Sequence, residues 1–477
     1  MKNTVILIFF LFQLSSGQGY PGTNPSNLVK DKREYIPVED TLVSQKLENW
    51  KDLKFGLFIH WGTYSQWDID NSWSLVGEDI EFITKDRPEG LHSSYEQYKK
   101  DYRNLQKSFN PVRFNPKEWV RVAKNAGMKY VVFTTKHHDG FCMFDTKETD
   151  YKITSPKCPY HSQPCSDIAK TVFNTFRDNG FMIGAYFSKP DWDSEYYWWP
   201  YFPTATRNAN YDPLKYPDRW GKFKDFTYNQ IKELMTNYGC IDILWLDGGQ
   251  VKPSTNNQDI DMPKIAGMAR ENQPGIIIVD RIAGTRYENY LTPEMKIFED
   301  PPTAPWETCM TMGKHWSYRA NDRYKPAREL IRMLTDIVAK GGNFLLNVGP
   351  EPTGLFPDTA ISRLNEIGDW MKINSEAIYG TRPVSPYKEG QFYFTSKNNT
   401  LYAIYLLNQE EKSLPEEVSF PNFPPGENSR VYLLGHKQRL NWETNKNGVT
   451  TIKIPLGAIK YPPCKYAYVF KISKNIE

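Results

Sequence analysis

From about Leu53 to Ile367 the chain alternates short apolar runs, each ending in polar or aromatic residues, with amphipathic stretches. Phe55-Gly-Leu-Phe-Ile59 leads into His60-Trp61-Gly62, Tyr130-Val-Val-Phe-Thr134 into Lys136-His137-His138-Asp139-Gly140, and Met182-Ile-Gly-Ala-Tyr186-Phe187 into Ser188. Ile241-Asp-Ile-Leu-Trp-Leu246 leads into Asp247-Gly248-Gly249, Gly275-Ile-Ile-Ile-Val279 into Asp280-Arg281, and Phe344-Leu-Leu-Asn-Val348 into Gly349-Pro350. Runs of this length read as buried strands, whereas Pro116 to Ala126 and Trp220 to Tyr238 carry apolar residues at helical spacing. Strand and helix in alternation predict parallel strands joined by crossover helices. At this length a (β/α)8-like barrel, irregular in places, is favoured over an open doubly wound sheet, and the missing Gly-x-Gly-x-x-Gly turn after the first strand agrees. In a barrel, polar residues just past the strand ends gather at the face where such folds keep their active sites. His60, His137, His138, Asp247 and Arg281 all fall in that position.

After Asn374-Ser-Glu-Ala-Ile-Tyr379-Gly-Thr-Arg-Pro383 the rhythm changes to short alternating strands such as Gln391-Phe-Tyr-Phe-Thr, Leu401-Tyr-Ala-Ile-Tyr-Leu, Arg430-Val-Tyr-Leu-Leu and Tyr466-Ala-Tyr-Val-Phe. Turn residues separate them at intervals suited to an antiparallel β-sandwich. The expected organisation is therefore a catalytic barrel over residues 19–380 and a C-terminal β-sandwich over 381–477. The single N-glycosylation sequon, Asn398-Asn399-Thr400, falls on a turn of the second domain.

The first residues change the picture of where the chain works. Lys2 precedes an apolar run from Val5 to Phe12 and the small residues Ser15-Ser16-Gly17, which reads as a signal peptide over residues 1–18, too short to span a bilayer. Export follows, with the periplasm, a lysosome and the extracellular medium all left open as destinations. A net charge of +3, with no long run of one sign, excludes a nucleic-acid footprint. Six cysteines are thinly spread over a chain too large to need them as a scaffold. Cys158 and Cys165 flank a Pro-containing loop, and an oxidising compartment leaves a local bridge between them open. No Cys/His spacing resembles a zinc site, so no metal is expected.

Cleaving a glycosidic bond takes two carboxyl groups, one as nucleophile or base and one as proton donor. Asp247 stands at the mouth of an apolar strand, and the two glycines after it leave space for a ligand; its competing role is to cap the next turn. His137 and His138, joined by His60 from another strand, present imidazoles that can hydrogen-bond sugar hydroxyls. Arg281 suits a ring oxygen or hydroxyl, and equally suits an ion pair with Asp280 or Asp247.

Together Phe58-Ile59-His60-Trp61-Gly62, Thr135-Lys136-His137-His138-Asp139-Gly140-Phe141, Trp245-Leu246-Asp247-Gly248, Trp306-Glu307-Thr308-Cys309 and Gly342 through Pro350 resemble the α-L-fucosidases of glycoside hydrolase family 29, in that family's order. With Ser375-Glu376-Ala377-Ile378-Tyr379-Gly380 the resemblance covers about residues 35–383, while the C-terminal part agrees in kind only. It implies a cofactor-free hydrolase of terminal α-L-fucose that works by double displacement with retention of configuration. Asp247 matches the family's nucleophile. His60, His137, His138, Tyr186, Arg281 and Trp316 match positions lining the sugar pocket, with Trp316 near the C6 methyl. The acid/base varies in position within that family. Glu294, in Leu291-Thr-Pro-Glu294, is the first candidate and Glu307 the second, with Glu299 and Asp300 behind them. Where many relatives carry a Glu-Trp pair that contacts the sugar, this chain reads Asn71-Ser72-Trp73-Ser74, which keeps the aromatic Trp73 as a substrate contact and lacks the carboxylate.

The implied partner is a fucosylated glycan, with no nucleic acid and no membrane anchor; homo-oligomerisation is left open. A related activity on α-L-galactosides, or a catalytically silent sugar-binding protein, are the competing functions. The aromatic loop Glu195-Tyr-Tyr-Trp-Trp-Pro-Tyr-Phe-Pro203 suits contact with the next sugar, packing on the barrel, or a subunit interface.

Overall fold

The computed structural model describes residues 35–77, 94–204, 206–281, 285–426 and 428–473. The expected signal peptide lies outside the described residues. Seven parallel strands form the first sheet: β1 (Phe55–Ile59), β2 (Tyr130–Lys136), β3 (Met182–Ser188), β4 (Ile243–Asp247), β5 (Ile277–Val279), β6 (Glu307–Thr311) and β7 (Asn343–Val348). Their order is β5-β4-β3-β2-β1-β7-β6, the winding of a (β/α)8-like barrel with a gap between β5 and β6. An irregular stretch at 289–295 occupies that gap. The Asn289 N–H donates to the Ile278 carbonyl of β5, and on the other side Glu307 N–H donates to Leu291 and Met295 N–H to Cys309. Isolated parallel bridges pair Leu291 with Trp306 and Glu294 with Cys309.

The strands are apolar throughout because both faces are covered. Alternate residues Phe58, Val132, Tyr186, Trp245, Val279, Cys309 and Leu345 form an interior cluster closed by Trp50 and Tyr290. Their neighbours Leu57, Val131, Ala185 and Leu346 pack outward with residues of the surrounding helices. One of these helices, Pro116–Ala126, shows how local signals set an element: Asn115 accepts the Lys117 N–H as N-cap, Pro116 occupies the first turn, and Gly127 ends the helix at φ 86°. It packs closely against helix Asp358–Asn374, where a Cβ on Gly368 would lie 2.0 Å from the Asn125 carbonyl oxygen.

The second sheet is antiparallel: β8 (Arg382–Glu389), β9 (Phe392–Lys397), β10 (Thr400–Leu406), β11 (Glu417–Phe420), β12 (Arg430–Leu433), β13 (Arg439–Thr444), β14 (Thr450–Lys453) and β15 (Ala467–Ser473). These join as one continuous sheet in the order β11-β14-β13-β12-β15-β10-β9-β8. It folds over on itself, since Phe420 of β11 meets Phe392 and Phe394 of β9 near the opposite edge. The two layers thereby share one core. Among the described residues no helix is long and apolar enough to cross a membrane.

Two candidates from the sequence find their places here. Cys158 and Cys165 are both free thiols: Cys158 Sγ donates to the Phe109 carbonyl, and Cys165 Sγ lies 2.9 Å from the Tyr160 hydroxyl. Glu307, a candidate acid/base, opens β6 instead of ending it and so sits at the barrel's closed end. Its carboxylate is fully buried and accepts from the hydroxyls of Tyr130 (2.6 Å) and Tyr290 (3.2 Å) and from Trp245 Nε1 (3.2 Å).

Gly368→Ala should cost about 1–3 kcal/mol of stability by overpacking against a backbone that cannot yield, read as a lowered denaturant midpoint. Burial pushes Glu307 up to about 7, from an ordinary value of 4.5. An acid raised in this way favours the fold fully below its unfolded value and loses that contribution as pH rises through about 7. Between pH 5 and 8 the wild type should therefore lose on the order of 3 kcal/mol more stability than Glu307→Gln. Parallel stability curves for the two proteins would mean that Glu307 is buried as the anion.

Candidate active site

Because β4 lies between β3 and β5, the ends of these three strands bring Tyr186, Asp247 and Arg281 together. Asp247 is the last residue of β4. Its Oδ2 accepts from the Tyr186 hydroxyl at 2.8 Å, and its Oδ1 from Arg281 Nη1 at 2.6 Å and from the Gly248 N–H at 2.7 Å. The other terminal nitrogen of Arg281, Nη2, binds Glu294 Oε2, so one guanidinium is shared by both carboxylates. Asp280 takes no part in this. It forms its own fully buried pair with Lys189 at 2.8 Å, which leaves Arg281 committed to Asp247 and Glu294.

Three imidazoles complete the cluster. His138 Nε2 is 3.7 Å from Asp247 Oδ2. His137 stacks on Tyr186 with ring centres 5.7 Å apart, and its Nδ1 meets Ser72 Oγ at 2.5 Å. His60 lies 5.7 Å from His137 and 5.0 Å from Trp316, ring to ring. The histidine pair is held by the turn that follows β2: Gly140 N–H donates to His137, and Tyr102 donates to Asp139 at 2.8 Å. Gly140 adopts φ 81°, and a Cβ there would fall 2.4 Å from Asp191 Oδ1. Gly248, read from sequence as leaving room for a ligand, is needed for another reason: at φ 87° it packs so closely on Pro190 that a Cβ would lie 2.2 Å from the ring.

Charge in the cluster follows from burial and from Arg281. Burial lowers His60 and His138 to about 4 and His137 well below its ordinary value, so all three rings are neutral at physiological pH. Burial also works against the Asp247 carboxylate, yet Arg281, then His138, and the hydrogen bonds from Tyr186 and Arg281 hold it well below the usual range. Tyr186, raised well above its ordinary value by burial and by Asp247, stays a neutral donor. His137, His138 and Asp247 bring ligand-type atoms within 4.8 Å of one another. Arg281 already supplies the positive charge opposite Asp247, and we do not read them as metal ligands.

Of the residues singled out in the sequence, the fold thus gathers Asp247, Glu294, Arg281, Tyr186, His60, His137, His138 and Trp316. Trp73 borders them, 5.4 Å from the His138 ring, with the Arg207 guanidinium 4.7 Å above its own. Glu299 and Asp300 are exposed on the stretch leading to β6. Glu307 is separated from Asp247 by the Trp245 indole, which it binds from below while Tyr186 stacks on that ring at 5.4 Å. The aromatic loop packs mostly inward: Trp198 stacks on Trp192, which touches His138 at 5.0 Å, while Tyr201 is 75% exposed. Sequence reading passed over Asn347, Ser72 and Asp70. Asn347 binds His60 and the Trp316 carbonyl, Ser72 meets His137, and Asp70 accepts the Trp316 N–H. The available signal for Asn347 was a polar residue inside an apolar strand.

Residues 23–376 match the family described as Alpha-L-fucosidase, and residues 387–473 match the Alpha-L-fucosidase C-terminal domain. The Alpha-L-fucosidase of Dictyostelium discoideum is 29% identical over 98% of this chain and 99% of its own. Tissue alpha-L-fucosidase of Homo sapiens is 27% identical, with 92% of each chain covered. Among solved structures, Alpha-L-fucosidase isoenzyme 1 from Paenibacillus thiaminolyticus superposes with a TM-score of 0.74 at 29% identity, covering 91% of this chain and 99% of that one. Thermotoga maritima alpha-fucosidase in complex with a mechanism based inhibitor does so at 0.71 and 26% identity, covering 92% and 100%. A match running through both sheets and most of the length leaves one assignment: the chain belongs to the α-L-fucosidase family of glycoside hydrolases.

Proposed function

We propose that this α-L-fucosidase is an exported, retaining exo-enzyme in which Asp247 is the nucleophile and Glu294 the acid/base. The observation that carries this reading is the guanidinium of Arg281, bound through one terminal nitrogen to Asp247 and through the other to Glu294. Two carboxylates on one planar fork are close neighbours, as in retaining pairs about 5–5.5 Å apart, without the about 6.5–9.5 Å that an inverting enzyme needs for its water. Asp247 is the more enclosed of the two and is held ionised, as a nucleophile must be; Glu294, with 31% of its side chain exposed, is the more accessible, as suits an acid that serves a departing group.

In the first step an Asp247 oxygen bonds to the anomeric carbon as the glycosidic C–O bond breaks, and Glu294 gives its proton to the departing oxygen. Glu294, a carboxylate while it is bound to Arg281, takes up that proton from solvent as it leaves the guanidinium. In the second step Glu294 takes a proton from water, whose oxygen bonds to the anomeric carbon and releases Asp247. The neutral rings of His60, His137 and His138 serve the sugar hydroxyls. Trp316, beside Phe58 at 6.1 Å, offers an apolar face for a 6-methyl group, which favours fucose over the C6-hydroxylated α-L-galactose. The domain division at about residue 380 and export through the signal peptide at 1–18 belong to the same reading, supported by the matched segments and by the apolar run from Val5 to Phe12.

On 4-nitrophenyl α-L-fucoside, with the α-L-galactoside run beside it, Asp247→Ala should lose at least about a thousandfold in kcat. Glu294→Ala should lose about 10²–10⁴-fold on substrates whose leaving group needs a proton. Added azide should restore turnover in Glu294→Ala and give the α-fucosyl azide, with retained configuration. A β-azide from that variant, or full activity without Asp247, would overturn the assignment.

A further inference from the structure

Asn347 lies on β7 and is 2% exposed. Its side-chain amide has two partners from different parts of the fold: Oδ1 is 2.7 Å from His60 Nδ1, past the end of β1, and Nδ2 donates to the main-chain carbonyl of Trp316 at 2.6 Å. These two contacts remove the ambiguity of the amide. A carbonyl oxygen only accepts, so the NH₂ group must face Trp316 and the amide oxygen must face His60. An amide oxygen also only accepts, so His60 must carry its proton on Nδ1. Burial keeps this ring neutral down to about pH 4, with one proton to place. Nε2 is then left with its lone pair, an acceptor for the hydrogen of a sugar hydroxyl.

We propose that Asn347 is a positioning residue that fixes His60 in the Nδ1–H tautomer and, through the same amide, seats the Trp316 loop beside it. The hydroxyl acceptor and the aromatic wall, 5.0 Å apart ring to ring, are thereby set as one unit. This rests on the reading that His60 and Trp316 line the sugar site. Ser72 offers His137 no such instruction, because a hydroxyl both donates and accepts.

Asn347→Asp tests this through a pH profile. The new carboxylate still accepts the His60 N–H but cannot donate to Trp316, and it favours the imidazolium. The charged or titratable groups already facing His60 are Asp247, Arg281, His137, His138 and Tyr186, and these are unchanged in the variant. In Asn347→Asp, kcat/KM should fall about ten- to hundredfold at pH 5 and recover much of that by pH 8, an acid limb that the wild type lacks. Adding His60→Ala to Asn347→Asp should abolish the limb. A wild-type profile in folded Asn347→Asp, or a limb that survives removal of His60, would overturn the proposal while an impaired His60→Ala upholds the site. An unimpaired His60→Ala would overturn the site reading and this proposal with it. Neutron diffraction on the wild-type protein gives an answer that needs no variant: the His60 proton is expected on Nδ1, and finding it on Nε2 alone would refute the assignment.

Discussion

One buried cation organises the open end of the barrel. Arg281 is enclosed among strand ends where an unpaired guanidinium would be costly to leave uncompensated, and two carboxylates meet it there. Lys189 and Asp280 neutralise each other next door, so the charge of Arg281 has no competing anion to draw it away. Asp247 depends on this, since burial alone would push its carboxyl toward the protonated form. The sheet order is what delivers it, because β4 and β5 are hydrogen-bonded neighbours and their following residues must converge.

Around Arg281 and its two carboxylates, the side chains nearest Asp247 are polar yet uncharged. Three imidazoles that burial keeps neutral, a phenol and an indole surround Asp247, each fixed by a partner outside the cluster or by ring packing. A neutral sugar suits such surroundings: its hydroxyls can hydrogen-bond these groups, and no counter-charge has to be stripped of solvent. Trp245 forms the floor, touched by Arg281 and Tyr186 above and by Glu307 below.

Much of this was legible from residue order. The apolar runs located β1, β2, β3, β4, β5 and β7, and the rule that barrel chemistry follows strand ends picked out His60, His137, His138, Asp247 and Arg281. The placement of Glu307 was not legible, because a motif shows which residues are neighbours but not which end of a strand they occupy. An acid that begins β6 lies at the opposite end from one that terminates β4. The partner of Arg281 was open between Asp280 and Asp247, since ion pairing is settled by where Lys189 reaches, 91 residues from Asp280. Asn347 looked like part of a strand core, and only the approach of two distant segments reveals its work. Gly248 was assigned to ligand space, when its left-handed backbone and the ring of Pro190 account for it.

The stretch at 289–295 is tied to β5 and β6 by isolated backbone bonds instead of a continuous ladder, and it carries Glu294. Asp247, in contrast, is built into the hydrogen-bonded register of β4 with β3. The two carboxylates therefore live under different evolutionary tolerances. An insertion or deletion of one residue within β4 would flip its alternating faces and destroy the barrel interior, so Asp247 is locked to its place in the chain. The same change between Arg281 and β6 breaks no ladder, so a lineage can shift a carboxylate such as Glu294 along that stretch while the barrel stays whole.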